Sequence, residues 1–225
     1  MTFTLSAVLF DMDGLMFDTE PLALVAWRQA LAERGYSLTD ELGLEMLGRT
    51  TEDTRLILRK ALAADLPFEA LFQRKKEIVG EHVAQHGVSA KPGLVELLAW
   101  LSSRHVATAV ASSARRDDVS AKLARAAVPH RFDALITGDQ VQNGKPAPDI
   151  FLAAARQLGV AAPACVVLED SEAGIQAAHA AGMRPVMVPD LKPPSPETAR
   201  LAFRICASLR EVQVLLEQEA EITPR

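Results

Sequence analysis

The stretch Leu5-Ser6-Ala7-Val8-Leu9-Phe10-Asp11-Met12-Asp13-Gly14 sets the reading of the whole chain. An apolar run with strand character ends abruptly on Asp11, a second carboxylate follows at Asp13, and Gly14 lets the backbone turn sharply. Side chains reverse direction at every strand step, so Asp11 and Asp13 are expected to leave the strand end on one side. Two acids crowded there repel one another unless a cation lies between them or one keeps its proton. Asp-x-Asp-Gly is also a turn signature and resembles the opening of calcium loops. The calcium reading fails on spacing: Gly14 comes one step after the second Asp, and the twelfth position, where a terminal Glu belongs, is Leu22. Taken alone, a capping turn and a catalytic acid pair stay equally open.

Outward from this stretch, Pro21 to about Arg34 has a helical pattern rich in Ala and Leu, broken by Gly35-Tyr36-Ser37. Thr39 to about Gln85 shows only helical periodicity, with breaks near Gly43, Gly48 and Pro67, and reads as a helical bundle. From Lys91-Pro92-Gly93 the texture changes. Apolar runs at Val106–Ser112, Phe132–Gly138, Ala164–Asp170 and Pro185–Val188 alternate with helical patterns at about 94–103, 117–126, 149–158 and 171–181. Strands apolar throughout, alternating with helices, indicate a parallel sheet covered on both faces. Pro189 to Pro196 reads as a surface loop, and the last few residues are expected to fray.

The chain has 225 residues, 49% of them hydrophobic, which is ample for an α/β core with an insertion. A net charge of -5 argues against a nucleic-acid footprint, and the local cluster Arg74-Lys75-Lys76 reads as a solvated helix face. Two cysteines, Cys165 and Cys206, make no disulfide framework in a chain this long, and no apolar run approaches bilayer length. These features predict a soluble, cytoplasmic protein with no membrane partner. Oligomeric state is not readable.

In open parallel sheets the ligand site lies outside the carboxyl ends of the strands, at the switch in strand order. Those ends carry Asp11 and Asp13, Ser112 and Ser113, and Glu169 and Asp170; Lys145 lies in the nearby loop Gly144-Lys145-Pro146. Together they read as a magnesium-assisted phosphoryl-transfer site. Carboxylates supply hard oxygen ligands for Mg²⁺. The serine hydroxyls and the backbone N–H groups beside them can hold phosphate oxygens at a helix start. A lysine offsets developing negative charge, and an Asp can attack phosphorus to form an aspartyl-phosphate. Each piece has a duller alternative: Ser112, Ser113, Glu169 and Asp170 as helix caps, Lys145 as a solvated cation.

The ordered set resembles the haloacid dehalogenase-like hydrolase superfamily, and within it the β-phosphoglucomutase-like phosphatase branch. Asp11-Met12-Asp13-Gly14, Val110-Ala111-Ser112-Ser113, Gly144-Lys145-Pro146 and Leu168-Glu169-Asp170-Ser171 are similar to its four motifs, in order. The resemblance implies a Rossmann-like α/β core with sheet order 5-4-1-2-3 formed by residues 1–17 and 88–225, and an inserted helical cap at 18–87. It also implies Asp11 as nucleophile and Asp13 as acid/base. Asp11, the carbonyl of Asp13 and Asp170 would be Mg²⁺ ligands, with Glu169 in or near the shell. Ser112 and Lys145 would bind the transferring phosphate, and Lys145-Pro146 is a candidate cis peptide.

The second acid, Asp13, and the pair Glu169-Asp170 argue against halide displacement, whose enzymes in this superfamily lack that acid and need no metal. Phosphonate-cleaving members carry a cap lysine where Met46-Leu47-Gly48-Arg49 offers Arg49, a candidate substrate anchor. The mutase pattern has a His at a position that is Ala23 here when aligned through Ala26-Trp27. The expectation is therefore a phosphoric monoester hydrolase acting on a small phosphorylated metabolite, a sugar phosphate above all. A phosphosugar mutase is the alternative within the fold, and a non-catalytic metabolite- or partner-binding protein the alternative from another class. Glu20 and Trp27 are further cap-side candidates.

Overall fold

The structure is a computed structural model that describes residues 2–223. The opening apolar run is two strands, β1 (Phe3–Leu5) and β2 (Ala7–Phe10), parted at Ser6. Four helices follow: α1 (Glu20–Ala32), α2 (Asp40–Met46), α3 (Thr51–Ala61) and α4 (Phe68–His86). The chain then alternates through α5 (Leu94–Ser103), β3 (Ala107–Ser112), α6 (Arg116–Arg125), β4 (Ala134–Thr137), α7 (Asp149–Leu158) and β5 (Cys165–Glu169). It finishes with α8 (Glu172–Ala180), β6 (Arg184–Met187), α9 (Pro196–Leu201), β7 (Arg204–Ile205), α10 (Leu209–Glu219) and β8 (Ala220–Ile222).

Six strands form one parallel sheet in the order β4-β3-β2-β5-β6-β7. Numbered from β2, this is the expected 5-4-1-2-3 seen from the other edge and extended by β7. The strand order switches between β2 and β5, so Asp11, Glu169 and Asp170 emerge beside the crevice where such sheets take ligands. The strand residues divide by parity. Val8 and Phe10 of β2, Val110 of β3 and Val166 and Leu168 of β5 pack with α5, α10 and Val119 of α6. Ala7 and Leu9, Ala107, Ala109 and Ala111, and Cys165 and Val167 pack with α7 and α8. Both faces are covered, which is why the strands read as continuous apolar runs.

The helical region α1–α4 forms a cap with a hydrophobic cluster of its own, around Trp27, Leu31, Leu58, Phe68 and Leu71. Trp27 lies near Phe68 and Phe72, with ring centroids 5.8 and 6.2 Å away. The chain enters and leaves the cap side by side: Phe17 bridges Ala90 in antiparallel fashion, Asp18 N donates to Ser89 O, and Lys91 N donates to Met16 O.

Two expectations change. Gly43 does not break a helix; it is buried inside α2, where an added Cβ would touch Leu24 at 3.4 Å, so close packing explains the residue. The C-terminal segment is paired as far as residue 222, where β8 runs parallel to β1 with Phe3 opposite Ala220, and residues 224–225, at the end expected to fray, lie outside the described residues. The basic cluster of α4 is not simply a solvated face, as its side-chain partners below show. No helix among the described residues is long and apolar enough to cross a membrane. Both cysteines are free and buried.

Candidate active site

A cleft of about 660 Å³ lies between the strand ends and the cap. Asp11, Asp13, Ser112, Ser113, Lys145, Arg49 and Asp170 all line it, so the positions singled out from the four motifs and the cap come together. Glu169, fully buried, is the exception and sits beneath the lining.

Asp11 follows β2 directly, its N–H continuing the ladder to Leu168 O at 3.0 Å. The chain then folds back through a tight turn in which Phe17 N donates to Met12 O and Gly14 N donates to Phe17 O. Gly14 has φ +87, and a Cβ there would lie 2.2 Å from Asp170 Oδ2. Glycine is therefore required twice over, for the turn and for the approach of the carboxylate. Gly174, in the first turn of α8, plays the same part for Glu169, whose carboxyl carbon would be 1.9 Å from an added Cβ.

Lys145 reaches in from the loop before α7, where the Lys145-Pro146 peptide is cis as expected. Its ammonium is ion-paired with Asp11 and Glu169, donates to Ala111 O at 3.1 Å, and lies 5.0 Å from the centre of the Phe151 ring. Glu169 uses its other oxygen to accept from Ser171 N at 3.0 Å and Ser171 Oγ at 2.8 Å. Ser171 in turn caps α8 by accepting from Gly174 N. Burial opposes charge on Lys145, but the two carboxylates outweigh it and hold the ammonium above its ordinary range. Asp11 is pushed up to about 7 by burial and by Glu169, with Lys145 opposing. Asp170 is raised well above the ordinary carboxylate range by burial and by Glu169 and Asp11.

Asp13 lives in a different field. Burial raises its carboxyl, but the ion-paired Lys122 ammonium outweighs that, helped by the Thr19 hydroxyl and Lys75, and holds it below its ordinary value. Ser112, buried at the end of β3, accepts from Ala114 N at 3.2 Å. Ser113 is exposed, and its carbonyl packs on Gly138, where a Cβ would meet the oxygen at 2.3 Å. Arg49, between α2 and α3, lies 3.9 Å from Glu172 of α8 and so spans from cap to core.

Two lysines escaped sequence reasoning. Lys122 is in α6, with no local signal beyond its place after the second motif. Lys75 was read with the cluster Arg74-Lys75-Lys76, yet Lys75 and Lys76 line the cleft, Lys76 pairs with Asp118 at 2.8 Å, and Arg74 pairs with Glu33 at 2.8 Å. Lys75 and Lys76 recur with Phe72, Val79 and Val83 at helical spacing on the face of α4 turned to the cleft. Burial pulls the Lys75 ammonium down, Asp13 and Glu20 counter it, and Lys122 adds to the lowering. Glu20, opposite, is pushed up to about 7 by burial, with Lys75 opposing and Asp13 adding.

One oxygen from each of Asp11, Glu169 and Asp170 can lie within 4.8 Å of the others. Three hard donors, two of them with raised carboxyls, and a glycine cradle that admits Asp170 fit a small oxygen-seeking divalent cation.

Residues 8–188 match the haloacid dehalogenase-like hydrolases. A phosphorylated carbohydrates phosphatase of Thermotoga maritima is 34% identical over 80% of this chain and 82% of its own length. A fructose-1-phosphate phosphatase of Escherichia coli is 36% identical over 81% of this chain and 96% of its own. The crystal structure of CbbY from Rhodobacter sphaeroides in complex with phosphate superposes with a TM-score of 0.79 at 30% identity, covering 93% of this chain and 96% of that one. Motif order, sheet topology and these likenesses agree, and the chain belongs to the haloacid dehalogenase-like hydrolases as one of their phosphatases.

Proposed function

We propose that this phosphatase hydrolyses a small phosphorylated sugar or polyol through an aspartyl-phosphate on Asp11. The observation that carries the reading is the convergence of Asp11, Glu169 and Asp170 beside a second carboxylate, Asp13, that has its own cation. An Asp11 oxygen attacks phosphorus as the bond to the leaving oxygen breaks, and Asp13 gives that oxygen its proton. Asp13 then takes a proton from the water that attacks phosphorus, the bond to Asp11 breaks, and phosphate leaves. Lys145 and Ser112 hold the transferring phosphate, with the Ser113 backbone beside it, and Arg49 anchors substrate from the cap. Asp11, Asp170 and the Asp13 carbonyl would hold Mg²⁺, with Glu169 close by. Mg²⁺ supplies, when bound, the positive charge that offsets repulsion between carboxylates and phosphate.

The named activities of the two curated relatives support a phosphosugar substrate. Ala23, which lines the cleft, brings no imidazole to it and so supports hydrolysis over phosphate shuttling. The same reading divides the chain into a core of residues up to 17 and from 88 onward, with 18–87 as the cap, supported by the paired crossings at Phe17–Ala90 and Asp18–Ser89.

The test is phosphate release from a panel of sugar phosphates with and without Mg²⁺. The expected result is Mg²⁺-dependent release with no need for a bisphosphate activator. Interconversion of glucose 1-phosphate and glucose 6-phosphate without net release would make the protein a mutase. Binding without turnover of any member would make it a binder.

A further inference from the structure

We propose that Lys75 of the cap and Lys122 of the core form a subsite for a second anionic group on the substrate, a phosphate or carboxylate remote from the ester that is cleaved, and that filling it releases Asp13 from Lys122. The inference rests on the phosphosugar reading and narrows its substrate class.

Three observations carry it. The cleft wall made by α4 and α6 presents Lys75, Lys76, Lys122 and Arg125 against one acid, Asp118, which already pairs with Lys76. A neutral polyol needs acceptors as well as donors, and this wall offers charged donors almost alone. Second, Lys75 is half-buried in the cleft wall, yet among the described residues no carboxylate oxygen lies within 4 Å of its ammonium. A sheltered cation without a contact partner is costly, and an anion arriving with the substrate removes that cost. Third, the Asp13 carboxylate, which has to reach the leaving oxygen, is held by Lys122 instead. An anionic group drawn to Lys75 and Lys122 competes for that ammonium and leaves Asp13 able to turn to the ester. Selectivity and readiness for proton transfer are then set by one contact, which a singly charged substrate does not make.

The experiment compares kcat/KM within substrate pairs that share the ester and differ in the remote group: fructose 1-phosphate against fructose 1,6-bisphosphate, and glycerol 3-phosphate against 3-phosphoglycerate. The wild-type protein is expected to favour the doubly anionic member by about tenfold or more in at least one pair, with the preference shrinking as KCl is added. Lys75→Met and Lys122→Met should each bring the ratio towards one, and Lys75→Arg should keep it. A wild-type ratio of one or less in both pairs, with phosphate released from the singly charged members, overturns this inference and leaves the phosphosugar reading standing. That measurement decides even if a variant fails to fold. A preference that survives both methionine substitutions also overturns it. Release from no member of either pair sinks the phosphosugar reading together with the subsite.

Discussion

The core wall of the cleft and its cap wall are built on opposite terms. On the core side Lys145 answers to two carboxylates, Glu169 answers to Lys145 and to Ser171, and Ser171 caps α8. On the cap side Lys75 contacts no carboxylate among the described residues, and Arg49 touches Glu172 only at 3.9 Å with its side chain 39% exposed. The core groups complete one another before any ligand arrives, whereas the cap groups await one. Rate should therefore be lost when the core is altered, and selectivity when the cap is.

The sharpest way to break that contrast is Asp11→Asn. It should lower kcat by roughly 10⁴-fold or more while leaving a folded protein, because the amide keeps the shape and loses the nucleophile. Asp13→Asn should cost about 10²–10⁴-fold, the usual worth of a general acid or base. Steady-state kinetics with circular dichroism as a folding control reads both. Substantial activity in Asp11→Asn would end the covalent mechanism.

Glycine substitutions put the two walls in direct opposition. Gly174→Ala places a methyl against the Glu169 carboxyl and should destabilise the core by about 1–3 kcal/mol, with loss of turnover as Lys145 loses its seat. Gly80→Ala, inside α4 with nothing within 4 Å of the added methyl, should stabilise by about 0.5–1 kcal/mol. Urea titration gives both signs, and equal signs would refute the contrast.

The metal should respond to pH through the carboxylates of the core side. Asp11 is raised to about 7 by burial and Glu169 against the pull of Lys145, and Asp170 is raised by burial and its carboxylate neighbours. Protons and cation compete for these oxygens, so Mg²⁺ affinity should increase as pH rises through that window. For a raised acid the folded chain binds more protons than the unfolded one. The contribution of this cluster to metal-free stability thus falls from the ordinary carboxylate range up to about pH 7. The gap in Tm between Mg²⁺-bound and Mg²⁺-free protein should widen over the same range; a gap independent of pH would be the contrary result.

The smallest effect belongs to Arg49→Ala. Its exposed contact with Glu172 is worth under about 1 kcal/mol, so stability should hardly move. KM should rise more than kcat falls if Arg49 binds ground state and transition state alike.

What could be read from residues alone follows from the same division. Asp11, Asp13, Glu169 and Asp170 were legible because chain punctuation places them: apolar strands stop on carboxylates, and a parallel sheet sends those stops to one edge. The helices over 94–103 and 149–158 were legible to the residue because Gly93 and Gly159 flank them at positive φ. Lys122 and Lys75 were not, since their roles depend on how α6 turns on the sheet and how α4 lies over the strand ends. Gly43 misled because its reason is a neighbour from another helix, Leu24. β7 and β8 were missed because they are two and three residues long and carry no fully buried pattern.

The pairing of β1 with β8 has a consequence for biosynthesis. Every motif residue of the cleft has been translated by Ser171, yet the strand that covers β1 arrives only at Ala220–Ile222. A nascent chain that has emerged only as far as the fourth motif therefore has all its chemistry written and an edge of β1 still open. Domains tend to fold as units during synthesis, and unpaired edges at that stage invite misassembly. Emergence of β8, rather than completion of the motifs, is then the event that closes this fold.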